Sequence, residues 1–185
     1  PVVTAFNGDI TAYLPTNIMS MTDGQWILDM DIFRSGIRPS VNTGLSVTRV
    51  GGVGHNARQK DINVAIMKLL SAYRQALEYS RFGSELSNES QAFLTKGKMV
   101  NSIITQATGE FASLMAQQLM FQIIIDLEGT AVIDVDYMKS IANEHAAKVS
   151  ANGDNFDAIK AELLAVVQKG RPKDEQSHKS REDYV

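Results

Sequence analysis

At the glycine run Gly51-Gly52-Val53-Gly54 the hydrophobic period of this chain changes from 2 to 3.6. One element cannot carry both periods, so the run reads as a flexible junction between two differently built segments. Downstream, Ile62, Ala65, Ile66, Leu69, Leu70, Tyr73, Ala76 and Leu77 form a single apolar stripe between Arg58 and Tyr79, the pattern of an amphipathic helix. Weaker stripes predict helices near 88–105, 111–125, 135–149 and 156–169. Asp134 and Asn155 are placed as N-caps, and Gly170 as the C-terminal stop. Residues 56–170 are therefore expected to form an all-α bundle. The polar stretch 171–185 is expected to be a disordered tail.

Upstream, residues 1–55 read as strands and loops. Val2–Phe6, Ile18–Met21 and Trp26–Leu28 are short β-type runs, and Asp23-Gly24 between the last two has the chemistry of a tight turn. With 44% hydrophobic residues the chain can bury a core. Its net charge of −3 gives no electrostatic case for nucleic acid. The absence of cysteine excludes disulfides and thiolate metal sites. No metal centre is expected, because His55, His145 and His178 are scattered and read as surface residues. Asp29, Asp31, Asp134 and Asp136 look like paired carboxylates, but Asp134 and Asp136 bracket a helix start where acids are favoured anyway, so capping is preferred to catalysis. Met115 and Met120 read as core. The most apolar stretch, Leu119 to Leu127, contains Gln122 and Asp126 and is far shorter than the roughly 20 residues of a membrane span. The start, Pro1-Val2-Val3-Thr4, lacks a basic leader, and the chain is expected to begin inside a longer polypeptide.

The segment richest in chemistry runs from Gly36 to Gly52. A strand with Leu45, Val47 and Val50 presents Ser46, Thr48 and Arg49 near its carboxyl end, the place where open α/β sheets bind ligands. Arginine stays charged and can hold two phosphate oxygens at once. Residue types alone leave two roles open for Arg49: a structural salt bridge, or a group facing phosphate.

Three runs narrow that choice. Gly8-Asp-Ile-Thr-Ala-Tyr-Leu-Pro-Thr-Asn17, Ile18-Met-Ser-Met-Thr-Asp-Gly-Gln25 and Pro39-Ser-Val-Asn-Thr-Gly-Leu-Ser-Val-Thr-Arg-Val-Gly51 resemble the alpha subunit of the F-type rotary ATP synthase. The family signature is Pro, a small residue, an aliphatic residue, Asn, three residues, Ser, any residue, Ser. Here Thr48 takes the last place and keeps the hydroxyl. Phe82-Gly83-Ser84-Glu85-Leu86 resembles the alpha-type loop between the first two bundle helices, where the beta subunit carries an acid-rich motif. Beyond Ala107 the usual continuation is missing, and Thr108-Gly109-Glu110 stands in its place.

The resemblance implies the end of a RecA-like P-loop nucleotide-binding domain, an α/β fold, followed by a helical carboxy-terminal domain. It implies a non-catalytic, regulatory subunit that alternates with beta subunits in a hexamer around a central gamma shaft. A peripheral stalk (delta) would be met through the amino terminus, on the inner face of a proton- or sodium-translocating membrane. By position, Arg49 is the arginine finger supplied to the catalytic site at the beta interface. Ser46 matches the family's serine near that arginine, with a satisfied strand hydroxyl as its plainer reading. Ser20 and Gly24 match positions shaping the phosphate end of the interface. Phe33, Arg38, Pro39 and, more faintly, Gln106 match positions beside the adenine of a bound, unhydrolysed nucleotide, ATP or ADP with Mg2+. The Walker A motif Gly-x-x-x-x-Gly-Lys-Ser/Thr is absent from these residues, so the piece alone is expected to be inactive. Two alternatives stay open: a repurposed rotary or motility ATPase subunit, and a helical interaction module that inherited the strand segment.

Overall fold

The computed structural model describes residues 2–81 and 87–170. The chain divides into two compact units, Pro1–Asn56 and Ala57–Val185.

The first unit carries α1 (Tyr13–Ser20), β1 (Gly24–Gln25), α2 (Met30–Arg34) and β2 (Val47–Thr48), with short 3-10 turns at Phe6–Gly8 and Gly51–Gly54. The two strands pair antiparallel, Gly24 opposite Thr48 and Gln25 opposite Val47, and one further bridge joins Leu28 to Val41. Two β-type readings fail here, and the third, Trp26–Leu28, is met only by the isolated bridge at Leu28. Ile18–Met21 lies in the last turn of α1 and just past it. Pro15, Ile18 and Met19 sit at helical spacing and are half-buried, so a one-sided apolar stripe outweighs the strand-like composition of the run. Pro15 is tolerated because it lies in the first turn, where its missing N–H has no helical acceptor. Val2–Phe6 finds no partner strand and forms no regular extended element. Gly24 belongs to β1 rather than to a turn between two strands; the turn at Met21–Asp23 follows a helix instead. Among described residues 2–56, none is fully buried.

The second unit is a bundle of α3 (Ala57–Arg81), α4 (Asn88–Ile104), α5 (Leu114–Asp126), α6 (Val135–Ala147) and α7 (Phe156–Lys169). The stripe on α3 points inward, with Ile62, Ile66, Leu69 and Leu70 buried. Helix α5 is apolar on nearly all sides and packs against each of the other four, which is the position such a helix requires. Where α3 passes α4 the backbones come so close that a Cβ on Gly97 would lie 2.3 Å from the Tyr73 ring. A larger residue at 97 would overpack this crossing. Met120 is buried and Met115 packs against the core.

Capping explains most of the helix ends. Asp134 Oδ1 accepts from the Tyr137 N–H at 2.9 Å, and Gly170, at φ 81°, ends α7. Helix α5 starts at Leu114 rather than near 111, because the Ser113 hydroxyl caps it through the Ala116 N–H at 3.2 Å. Asn155 stands at the N-cap of α7 as expected, but its side chain makes no capping bond to the helix. Its side chain reaches back across the preceding turn, accepting from the Ser150 N–H at 2.7 Å and donating to the Lys148 carbonyl at 2.9 Å. His145 is a second correction: it is buried on α6, not on the surface. Met138, Ala142 and His145 share one face at helical spacing, and Nδ1 lies 3.0 Å from the Ile141 carbonyl. The loop expected at Phe82–Leu86 and the tail 171–185, with His178, lie outside the described residues.

The divergent Thr108-Gly109-Glu110 stretch is tied firmly into the bundle. Lys139 on α6 donates to the Thr105 carbonyl at 2.6 Å, past the end of α4, and pairs with Glu110 Oε1 at 2.7 Å. Glu110 Oε2 accepts from the Ala107 N–H at 2.8 Å. The Lys139 hydrogen bond, then the Ala107 amide, hold the Glu110 carboxyl below the usual glutamate range. A carboxyl depressed in the folded state stabilises the fold above its unfolded range and loses that contribution as pH falls through its folded value. Glu110→Gln is expected to lower stability by about 0.5–1.5 kcal/mol at neutral pH. The difference from wild type should close in acid, when both side chains are neutral. Melting temperatures of the two chains across pH check this, and a gap that persists unchanged in acid would count against the pair.

Candidate functional site

The first unit builds its surface from backbone pairing supplemented by side-chain hydroxyls and amides. The β1–β2 pairing is extended on one side by the Ser46 hydroxyl, which accepts from the Ile27 N–H at 3.0 Å. On the other side the Arg49 N–H donates to the Asp23 carbonyl at 2.9 Å. These bonds bring Gly24, Ser46 and Arg49 onto one short ladder. Gly24 is required by close approach: a Cβ there would sit 2.6 Å from the Val47 carbonyl oxygen. Thr48 uses the hydroxyl it retains to accept from the Gly51 N–H at 3.0 Å, turning the chain just after Arg49.

Arg49 is exposed, and its guanidinium makes no hydrogen bond or ion pair with any described residue. Ser20 stands at the end of α1, four residues before Gly24, and its hydroxyl donates to the Asn17 carbonyl at 2.7 Å within its own helix. Beside the ladder lies a cavity of about 570 Å³ whose lining includes Ile18, Met19, Gly24, Trp26, Leu28 and Thr48.

The residues expected near adenine form a second group. Phe33, on α2, keeps 47% of its surface exposed. The Arg38 guanidinium lies 3.6 Å from the centre of the Phe33 ring and donates to the Phe33 carbonyl and, at 3.1 Å, to the Ile37 carbonyl. Pro39 follows, exposed, after a cis peptide bond. Gln106 is exposed in the other compact unit, just after α4.

One connection between the groups was not visible in the sequence. Asp29 Oδ1 caps α2 through the Asp31 and Ile32 N–H groups at 2.8 and 3.4 Å, while its Oδ2 accepts from Asn42 Nδ2 at 3.0 Å. Asn42 Oδ1 in turn accepts from the Gly44 and Leu45 N–H groups at 3.0 and 3.2 Å, shaping the turn into Ser46. The Asn42 bond, followed by the Asp31 amide, lowers the Asp29 pKa below the usual aspartate value. Helix α2 itself was not expected, since residues 1–55 read as strands and loops, and the pairing across the loop had no local signal.

Among the described residues no group of three or more His, Cys, Asp or Glu side chains converges to hold a metal, and no helix is long and apolar enough to cross a membrane.

Two family models match the chain. The ATP synthase alpha/beta family, nucleotide-binding domain, matches residues 1–48, and the ATP synthase alpha/beta chain, C terminal domain, matches residues 59–171. ATP synthase subunit alpha of Thioalkalivibrio sulfidiphilus is 31% identical over 185 residues, 94% of this chain and 36% of the relative. The subunit alpha of Nitrosomonas europaea is 34% identical, over 91% of this chain and 33% of its own length. That of Anaplasma marginale is 32% identical, over 91% and 35%. The chain thus spans about a third of the length of these relatives. A solved structure, a unique ATP synthase subunit NeqB from Nanoarcheaum equitans, shares the fold with a TM-score of 0.65 at 23% identity, over 69% of this chain and 34% of that one. With both its segments matched in order, and its second unit matched almost throughout, the chain belongs to the ATP synthase alpha/beta family.

Proposed function

We propose that this chain is the carboxy-terminal part of a non-catalytic alpha-type subunit of a rotary ATP synthase, and that Arg49 is the arginine it lends to a catalytic site on a neighbouring beta-type subunit. The observation that carries the reading is Arg49 itself. Its backbone is pinned on the β1–β2 ladder while its guanidinium stays exposed and without a partner among the described residues. A side chain fixed at its root and free at its tip can serve a ligand or subunit brought to it. A structural salt bridge within this chain would need an internal acid, and no described acid pairs with Arg49. Such a finger stabilises charge developing on the oxygens of a transferring phosphoryl group, an effect of about 10³–10⁵ in rate. Ser46 and Gly24 fix the ladder that aims it, and Ser20 borders the same end of the interface.

Phe33, Arg38 and Pro39 offer one face of an adenine pocket, and Gln106 is carried as a nucleotide-side residue by the family resemblance alone. These residues fit one side of a nucleotide but not its phosphates, since the phosphate-cradling loop is not in this sequence. ATP or ADP with Mg2+ is therefore held by the full-length subunit, which assembles with beta-type subunits, a central shaft and a peripheral stalk on a proton- or sodium-translocating membrane sector.

Reconstitution tests the assignment. A hexamer built from the full-length subunit and a beta-type partner is expected to hydrolyse ATP. With Arg49→Ala it should still assemble and bind nucleotide but turn over at background rate. Full turnover by an intact Arg49→Ala hexamer overturns the reading.

A further inference from the structure

We infer that Asp29 is a positioning residue for Arg49, acting through Asn42; this rests on the finger reading above. The bond between Asp29 Oδ2 and Asn42 Nδ2, 3.0 Å long, is the side-chain link from the capped end of α2 to the turn that leads into β2. Around it the backbone is doubly tied. The Asp29 N–H donates to the Ser40 carbonyl at 2.9 Å and the Asn42 N–H to the Ile27 carbonyl at 2.8 Å. From Asn42 the path to the arginine is short: its Oδ1 holds the Gly44 and Leu45 amides, its carbonyl accepts the Ser46 N–H at 2.9 Å, and Ser46 Oγ then takes the Ile27 N–H. Asp29 thus fixes the orientation of the Asn42 amide, and that orientation fixes the turn from which Ser46 and Arg49 emerge.

The donor pattern makes the link specific. Asp29 is acceptor-only, so Asn42 must turn its NH2 toward Asp29 and its oxygen toward the turn amides. With Asp29→Asn, the amide at position 29 keeps its oxygen on the α2 N–H groups, so its NH2 confronts the NH2 of Asn42. Flipping Asn42 only moves the conflict onto Gly44 and Leu45. With Asn42→Asp, two carboxylates face each other. The exchange Asp29→Asn/Asn42→Asp restores one donor and one acceptor at the contact, with the bond reversed, and leaves an oxygen for each set of backbone amides.

The experiment uses hexamers reconstituted from the full-length subunit and scored per assembled complex, with Arg49→Lys in parallel. Each single variant is expected to lower kcat by about 10²-fold, the effect of misplacing a catalytic group by about an ångström, with KM for ATP near wild type. The double exchange is expected to recover most of that loss. A merely structural role would lower the yield of hexamers and leave kcat per hexamer unchanged, which overturns the proposal. If a single variant fails to assemble, the double exchange decides: an assembled complex with near wild-type kcat supports the link, and failure to restore either assembly or kcat sinks it. Arg49→Lys separates the two ideas. A normal kcat there brings down the finger reading and this proposal with it, whereas a collapsed kcat beside normal Asp29→Asn and Asn42→Asp hexamers removes the proposal alone.

Discussion

An Arg49→Lys hexamer is expected to assemble normally, hold ATP at the catalytic interface almost as well as wild type, and lose about 10³-fold or more in kcat. Lysine keeps the positive charge but replaces a planar fork, able to hold two phosphoryl oxygens, with a compact point charge on a flexible stem. An interaction made only in the transition state shows its loss in kcat, whereas uniform binding shows it in KM. The geometry allows the separation to be clean. The Arg49 side chain has no partner among the described residues, so the substitution removes no bond from its own unit. Steady-state turnover and nucleotide binding measured on the same assembled preparation give both quantities. A complex with near wild-type kcat would mean that Arg49 does not touch the reacting phosphate.

Phe156→Ala is expected to produce the largest loss of stability of any single truncation in the helical unit, about 3–5 kcal/mol. Phe156 is 1% exposed and heads the fully buried side chains by volume. It opens α7 while lying against α3, where the Arg58 guanidinium sits 4.1 Å from its ring centre and reaches the Gly153 carbonyl. Truncation leaves a cavity at this junction and takes away the ring that Arg58 covers. Denaturant unfolding followed by helical circular dichroism reads the change. A midpoint that does not move would show that the junction can close over the missing ring.

The helical unit was legible because its signals are long and redundant. The α3 stripe repeats over about four turns, and Asp134 and Gly170 mark helix limits with their own chemistry. Where it misled, a local choice overrode the pattern: Ser113 started α5 three residues late, while Asn155 took its N-cap position but turned its side chain to the turn behind. His145 was misread by residue type although its spacing from Met138 and Ala142 already put it on the buried face. The first unit was harder because its strands are two residues long, too short for a period to declare itself. Ile18–Met21 shows the ambiguity, since a run of four with three apolar residues suits either a strand or the end of a helix. The ladder carrying Gly24, Ser46 and Arg49 could be placed only through the family resemblance. The Asp29–Asn42 bond could not be placed at all, because nothing local in a sequence says which amide a carboxylate thirteen residues away will meet.

The lack of any fully buried residue between positions 2 and 56 has a calorimetric consequence. The heat-capacity step of unfolding follows the apolar area that becomes wet, and in this chain that area is concentrated in the bundle. The melting endotherm of the 185-residue polypeptide is thus a thermometer for the helices and is nearly blind to the arginine's own unit. A substitution that loosens the ladder can leave the endotherm untouched. Its gauge is the rate at which the Ile27, Asn42 and Arg49 amides exchange with deuterium, each protected by a single named bond.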